Sequence, residues 1–497
     1  EDARLMQEAG VNCVSLGIFS WSKLEPQAGH YTFEWLDHII EILHQHGVSI
    51  ALATATASPP PWFSRRFPES LPVDSNGLRY NTGSRQHYCP NSGDYRQSSG
   101  DLARRLAERY KDHPAVILWH INNEYGCHVS ECYCPVCEAA FREWLRHRYD
   151  TLENLNEGWG TAFWSQWYYN WEEINLPNRT PTFRNPSQVL DYKRFMNESI
   201  LTLYQNEAAA IRAAGAHQPI FTNTIFGLKA LDLFQWAKYA DYIALDVYSD
   251  PAQGAKAWRT SAFFYDLARS AGNGKPYLLI EQATTQVNWR AINQINPPGA
   301  IRAISYQAVA RGADSVMFFQ WRAARAGAEK FHSAMIPHYG AENSRIYEEV
   351  KQLGAELQQL TEMVGSQVHA RTGILFSYEN LWALETDSKP ARLDGWEVGS
   401  RWYDALCQQN IAVNIVHPDS DFSEYRVLIA PMLYQLNAAQ ADRLRTFVQE
   451  GGTLLMTYFS GIVNEHEYIW LGGYPALLQD VLGLKVEEWQ PLLPDQT

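Results

Sequence analysis

No apolar run in these 497 residues is long enough to cross a bilayer, so a membrane partner is not expected. The opening EDARLMQEAG reads as a helix and lacks both the basic start and the apolar stretch of a secretory signal, which points to the cytoplasm. Positive charge is short: 41 Lys and Arg against 55 Asp and Glu leave a net charge of −14. A surface of that sign repels phosphate backbones, so nucleic acid is not expected as a partner. The nucleotide fingerprint GxGxxG is absent, no internal repeat or low-complexity segment stands out, and no organic cofactor is expected. Cysteine is scarce and odd in number, seven in all, which argues against a pure disulfide framework. Five of the seven lie between 89 and 137, a clustering that points to a metal site in a reducing compartment.

What the chain does have is length for two or more domains, a globular hydrophobic fraction of 46%, and many aromatics, with 18 Trp and 27 Tyr. Apolar strand-like runs alternate with helical segments across the first 365 residues, starting near 11, 48, 115, 219, 241, 276 and 315. A closed barrel of alternating strands and helices needs eight strands. Because EDARLMQEAG reads as the helix after strand one, the seven visible runs are numbered two to eight. The expected architecture is therefore an α/β fold: a (β/α)8 TIM barrel over 1–365 with its first strand missing from this chain and a zinc-binding insertion near 127–140. Residues 366–497 read as a smaller three-layer α/β domain, flavodoxin-like and suited to oligomerisation, with three apolar strands within 371–380, 425–434 and 451–461 and helices at 401–410 and 437–452. Without strand one, strands two and eight would present open edges, so this stretch alone is expected to be poorly soluble and inactive.

Two acids end apolar strands. Glu124 closes AVILWHINNEYG (115–126), the fourth barrel strand, and Glu281 follows PYLLI in PYLLIEQATTQ (276–286), the seventh. The C-terminal strand ends of such a barrel carry the reacting groups. Two carboxyls facing each other at about 5 Å are what retaining glycoside cleavage requires. Glu124 reads as acid/base, Glu281 as nucleophile, and Asn123 as a contact to a sugar hydroxyl. In CHVSECYCPVC, Cys132, Cys134 and Cys137 stand two and three apart, and Cys89 in QHYCPNS is a plausible fourth ligand. Four thiolates suit a closed tetrahedral structural Zn2+; Cys127 and His128 compete for the same role. Arg85, Trp289, Glu329 and His332 are further candidates near the barrel mouth.

The segments SLGIFSWSKLEPQAGHYTFEWLD, SRQHYCPNS, WHINNEYGCHVSECYCPVC, IEQATTQVNW and AGAEKFHSAMIPH together resemble the β-galactosidases of glycoside hydrolase family 42. The resemblance spans residues 11 to about 340. It implies a double displacement on terminal β-D-galactosides such as lactose or galacto-oligosaccharides, with Glu124 as acid/base and Glu281 as nucleophile. It further implies sugar contacts from Arg85, Asn123, Trp289, Glu329 and His332, zinc on Cys89, Cys132, Cys134 and Cys137, and a homotrimer. The family's small C-terminal β domain has no counterpart here. An α-L-arabinopyranosidase or β-D-fucosidase is the alternative within enzymes. A carbohydrate-binding homologue without catalysis is the alternative outside them, and the presence of both glutamates argues against it.

Overall fold

The computed structural model describes residues 1–386, 389–493 and 496. Seven strands form one parallel sheet in strict sequence order: β1 (Cys13–Leu16), β2 (Ser49–Ala53), β3 (Val116–His120), β4 (Ile220–Ile225), β5 (Tyr242–Asp246), β6 (Tyr277–Glu281) and β7 (Ala313–Val316). Each is short, and the inner strands β2 to β6 are largely apolar and well buried, as suits strands covered on both faces. These are the seven runs read from the sequence. Sequential parallel order with intervening helices curls the sheet into a barrel wall.

The wall does not close. β1 and β7 are the two ends of the sheet and do not pair. Every residue of β1 is half-buried and β7 is no better covered, whereas Ile50–Ala53 of β2 are fully buried. Between the two edges lies a cleft of 910 Å³ lined by Val14, Ile18, Val316, Phe318, Met335 and Leu353, among others. The cleft occupies the barrel's first-strand position, so β1 to β7 are its second to eighth strands.

The second sheet has four parallel strands among the described residues, β8 (Thr372–Leu375), β9 (Val413–Val416), β10 (Val427–Ala430) and β11 (Thr453–Met456), in the order β11-β10-β8-β9. The sequence reading had three. The missed strand is β9, whose VNIV is interrupted by Asn414 and so does not read as an apolar run. Its two faces bury different clusters. Leu375, Val416 and Leu428 pack under the helix Ala438–Gln449, while Ile374, Val413 and Ile415 face the other way. That second face meets a barrel helix, Ala255–Ala271, whose Phe263, Tyr265 and Leu267 join the same core. Arg269 on this helix donates to Asn414 Oδ1 (2.9 Å) and the Val413 carbonyl (3.1 Å), tying the two sheets by hydrogen bonds as well.

The first helix, Asp2–Glu8, is held by close approach of backbones. Gly10 adopts φ +70°, and a Cβ placed on Gly354 would lie 2.1 Å from the Ala9 carbonyl oxygen. No side chain can move aside there, since the obstacle is main chain. Gly354→Ala should lower unfolding stability by about 1–3 kcal/mol, the cost of overpacking a tight contact. Urea denaturation measures it, and an unchanged midpoint would show that the two segments part freely.

Candidate active site and metal centre

The segment after β3 turns sharply. Asn122 (φ 56°) and Glu124 (φ 49°) are both in the left-handed region, which costs a non-glycine residue about 1–2 kcal/mol. A buried polar network holds them there. The Asn122 N–H donates to Thr54 Oγ1 (3.0 Å), and its side-chain amide donates to Thr56 Oγ1 and Tyr95 Oη, both at 3.1 Å. Its carbonyl oxygen accepts from Tyr88 Oη (3.1 Å) and the Asn123 N–H (2.8 Å). Thr56 in turn donates to Glu207 (2.9 Å), which rises from the long helix Pro186–Ala213 and also accepts from Tyr125 (3.3 Å). On the other side Gln86 donates to the carbonyls of Asn123 (3.0 Å) and Glu124 and accepts from the His128 N–H (3.1 Å).

The result aims Glu124 at Glu281, the last residue of β6. Asp246, the last residue of β5, completes a trio in which one oxygen from each carboxyl lies within 4.8 Å of the others. Arg85 Nη1 reaches Glu124 Oε2 at 2.8 Å, and Tyr248 donates to Glu281. Asn123 donates to Glu124 at 3.3 Å. Beneath them Asn223 donates to Asp246 (2.7 Å) and to Asn123 Oδ1 (3.1 Å), while its own oxygen accepts from the Glu124 N–H (3.0 Å). His120 also meets that oxygen (2.9 Å), and burial holds its imidazole at a pKa of about 4, hence neutral. A neutral ring that donates from Nε2 leaves Nδ1 to accept from Ser15 Oγ (3.0 Å).

Three carboxyls with one guanidinium cannot all be ionised in so small a dry space. Burial pushes Glu281 up to about 8, and the charge of Glu124 adds to it against the Tyr248 hydrogen bond. Glu124 is also raised, by burial, with Arg85 pulling the other way. Asp246 is raised well above the carboxylate range by burial and then by the two glutamates. Protons near neutral pH therefore belong to the group as a whole.

Asp246, Asn223 and Tyr248 were not singled out from the sequence. Asp246 obeys the same rule as the glutamates, an acid ending an apolar strand, but Val247 and Tyr248 extend the run and mask its end. Of the residues that were singled out, Arg85, Asn123, Glu124 and Glu281 come together directly. Trp289 stacks on His332 with ring centroids 5.3 Å apart, and Tyr248, the donor to Glu281, meets the Trp289 ring edge-on at 4.8 Å. The Glu329 charge acts on Arg85 and on both glutamates from the facing loop.

The four cysteines Cys89, Cys132, Cys134 and Cys137 are buried and offer sulfurs all within 4.8 Å of one another. Cys89 Sγ lies 3.5 Å from Cys134 Sγ and 3.3 Å from Cys137 Sγ. Tetrahedral zinc with bonds near 2.3 Å places its sulfurs roughly 3.8 Å apart, so this pocket needs little change to close on a metal ion. Cys134 caps the helix Pro135–Tyr149, Pro135 takes its first turn, and Tyr192 Oη clamps the Cys132 carbonyl (2.7 Å). Cys127 and His128 lie outside this cluster and turn instead toward Glu124.

Known proteins share the sequence and the fold of this chain. The β-galactosidase family model of glycoside hydrolase family 42 matches residues 1–360, and the β-galactosidase trimerisation domain model matches 370–497. A β-galactosidase of Geobacillus kaustophilus is 52% identical over 99% of this chain and 73% of its own length. One from Heyndrickxia coagulans is 49% identical over 99% of this chain and 74% of its own. The crystal structure of a β-galactosidase from Bacillus circulans sp. alkalophilus superposes with a TM-score of 0.96 at 40% identity, over all of this chain and 74% of that one. By sequence over its whole length and by fold, this chain belongs to the glycoside hydrolase family 42 β-galactosidases.

Proposed function

We propose that the chain removes terminal non-reducing β-D-galactose by double displacement, with Glu124 as acid/base and Glu281 as nucleophile. The observation that carries this reading is the approach of the two carboxyls to within 4.8 Å. Retaining enzymes hold their carboxyls about 5–5.5 Å apart, while inverting ones leave about 6.5–9.5 Å for a water. In the first step Glu281 attacks the anomeric carbon as its bond to the aglycone oxygen breaks, and Glu124 gives its proton to that oxygen. Forming the ester removes the Glu281 charge. Glu124, with Arg85 beside it, then favours its anionic form and takes a proton from water. The water oxygen displaces Glu281 and releases galactose with its β configuration kept.

Arg85, Asn123, Glu329 and His332 are assigned to sugar hydroxyls, and Trp289 to the apolar face of the ring. His332 Nε2 supports this, being buried without a hydrogen-bond partner among the described residues. The indole of Trp289 is 54% exposed and so free to stack. Lactose or galacto-oligosaccharides would be the substrates, acted on in the cytoplasm. The four-cysteine cluster is assigned to zinc, which would cross-link the loop before the barrel helix Gly93–Tyr110 to the 127–140 insertion and take no part in the reaction. The chain divides after residue 365 into a catalytic and an oligomerising domain. A homotrimer is proposed for the assembly.

Glu281→Ala should abolish turnover of an aryl β-galactoside, and azide should restore part of it as α-galactosyl azide. A β-configured azide product would mean the two glutamates have exchanged roles. Since burial raises both carboxyls and the charge of Glu124 raises Glu281 further, the pH profile should be a bell displaced toward neutral, its acid limb set by ionising the pair's first proton and its alkaline limb by losing the second. Glu124→Gln should remove the alkaline limb on a dinitrophenyl galactoside, which needs little protonation to leave, and should cut lactose hydrolysis far more. For the metal, Cys134→Ser should lower both zinc content and melting temperature while the folded fraction keeps nearly normal turnover. A metal-free protein as stable as the zinc-loaded one would remove the zinc assignment.

A further inference from the structure

Cys127 and His128 have no part in the reaction above or in the four-cysteine cluster. They share a turn with Glu124, closed by the Cys127 N–H donating to the Glu124 carbonyl (3.0 Å) and pinned by Gln86. The turn brings three unlike donors to one side: a Glu124 oxygen, Cys127 Sγ and a His128 ring nitrogen, all within 4.8 Å of one another. Cys127 Sγ and His128 Nε2 are 3.8 Å apart. Zinc bonds of about 2.3 Å to sulfur and 2.0–2.1 Å to nitrogen subtend a tetrahedral edge of about 3.6 Å, so this pair already stands near ligand spacing. Cys127 is half-buried and His128 exposed, so an ion can reach them from solvent, unlike the buried cysteine cluster.

We propose that Glu124, Cys127 and His128 form a second, accessible metal site that takes a thiophilic divalent cation such as Zn2+. The thiol gives up its proton to solvent as the sulfur–metal bond forms, His128 contributes a neutral nitrogen and Glu124 an anionic oxygen. A fourth position stays open to water. At present Arg85 fills the space, donating from Nε to His128 Nε2 (2.9 Å) while its Nη1 pairs with Glu124. An ion would displace this guanidinium, since both seek the same two acceptors. Where Glu124 is the acid/base, a rest that this consequence takes from the proposed function, the bound ion also stops turnover and competes with galactoside.

Two measurements on the metal-loaded enzyme separate the site from that reading. The first is zinc uptake, by equilibrium dialysis against micromolar Zn2+; the second is steady-state inhibition by the same ion. Wild type should hold one equivalent per chain more than Cys127→Ser, and inhibition should be competitive with galactoside and reversed by a chelator. Cys127→Ser should keep its activity without added metal and weaken inhibition at least about tenfold, the scale on which even outer partners of metal sites act. His128→Gln, read by uptake alone, should lose the same equivalent. Equal uptake by wild type and Cys127→Ser, or undiminished inhibition of that variant, overturns the site. An extra equivalent that disappears in both variants yet leaves turnover untouched keeps the site and refutes Glu124 as acid/base.

Discussion

Two like-charged groups must face each other where water is scarce, and most of the polar construction of the barrel mouth answers that demand. Glu124 and Glu281 repel when both are ionised, and burial raises the cost of either charge. Left to a flexible loop, they would swing apart. Glu281 is fixed by being the last residue of β6 itself, whereas Glu124 sits four residues past β3 and needs a scaffold. The left-handed turn at Asn122 and Glu124 is that scaffold, and Thr54, Thr56, Tyr88, Tyr95 and Glu207 stabilise it from below. Strain and network are two halves of one arrangement: the turn aims the acid, and the hydrogen bonds offset the conformational cost.

Strand ends and cysteine spacing were open to reading because each is local. An apolar run that stops at an acid is visible within a dozen residues, and CxCxxC within six. The same locality explains what stayed hidden. Thr56 and Glu207 are 151 residues apart, and neither bears any local mark of serving Glu124. Asp246 was hidden by Val247 and Tyr248, which prolong its strand's apolar pattern, and β9 by Asn414, which breaks its apolar run. Cys127 and His128 could not be told from zinc ligands by spacing, since only the direction of the turn sends them to the cleft while Cys132, Cys134 and Cys137 go inward.

The cysteines also show how one element type serves two ends by depth alone. Four sulfurs lie buried among Phe141, Tyr192 and Phe195, away from the surface. One sulfur a few residues earlier, beside an imidazole and a carboxylate, is only half-buried. The two groups differ in donor number and in access.

The helix Ala255–Ala271 belongs to both cores at once. Its Tyr265 stacks on Tyr277 of β6, its Phe263 meets Tyr403 edge-on, and Arg269 is bonded across the boundary. A wall shared in this way makes the chain thermodynamically indivisible. Melting the smaller sheet would strip the apolar cover from a helix that the barrel cannot release, so neither part has an unfolded state the other is indifferent to. Damage suffered in the smaller sheet, more than a hundred residues downstream in sequence, would thus be felt as a loss of order in the strand that ends at Glu281.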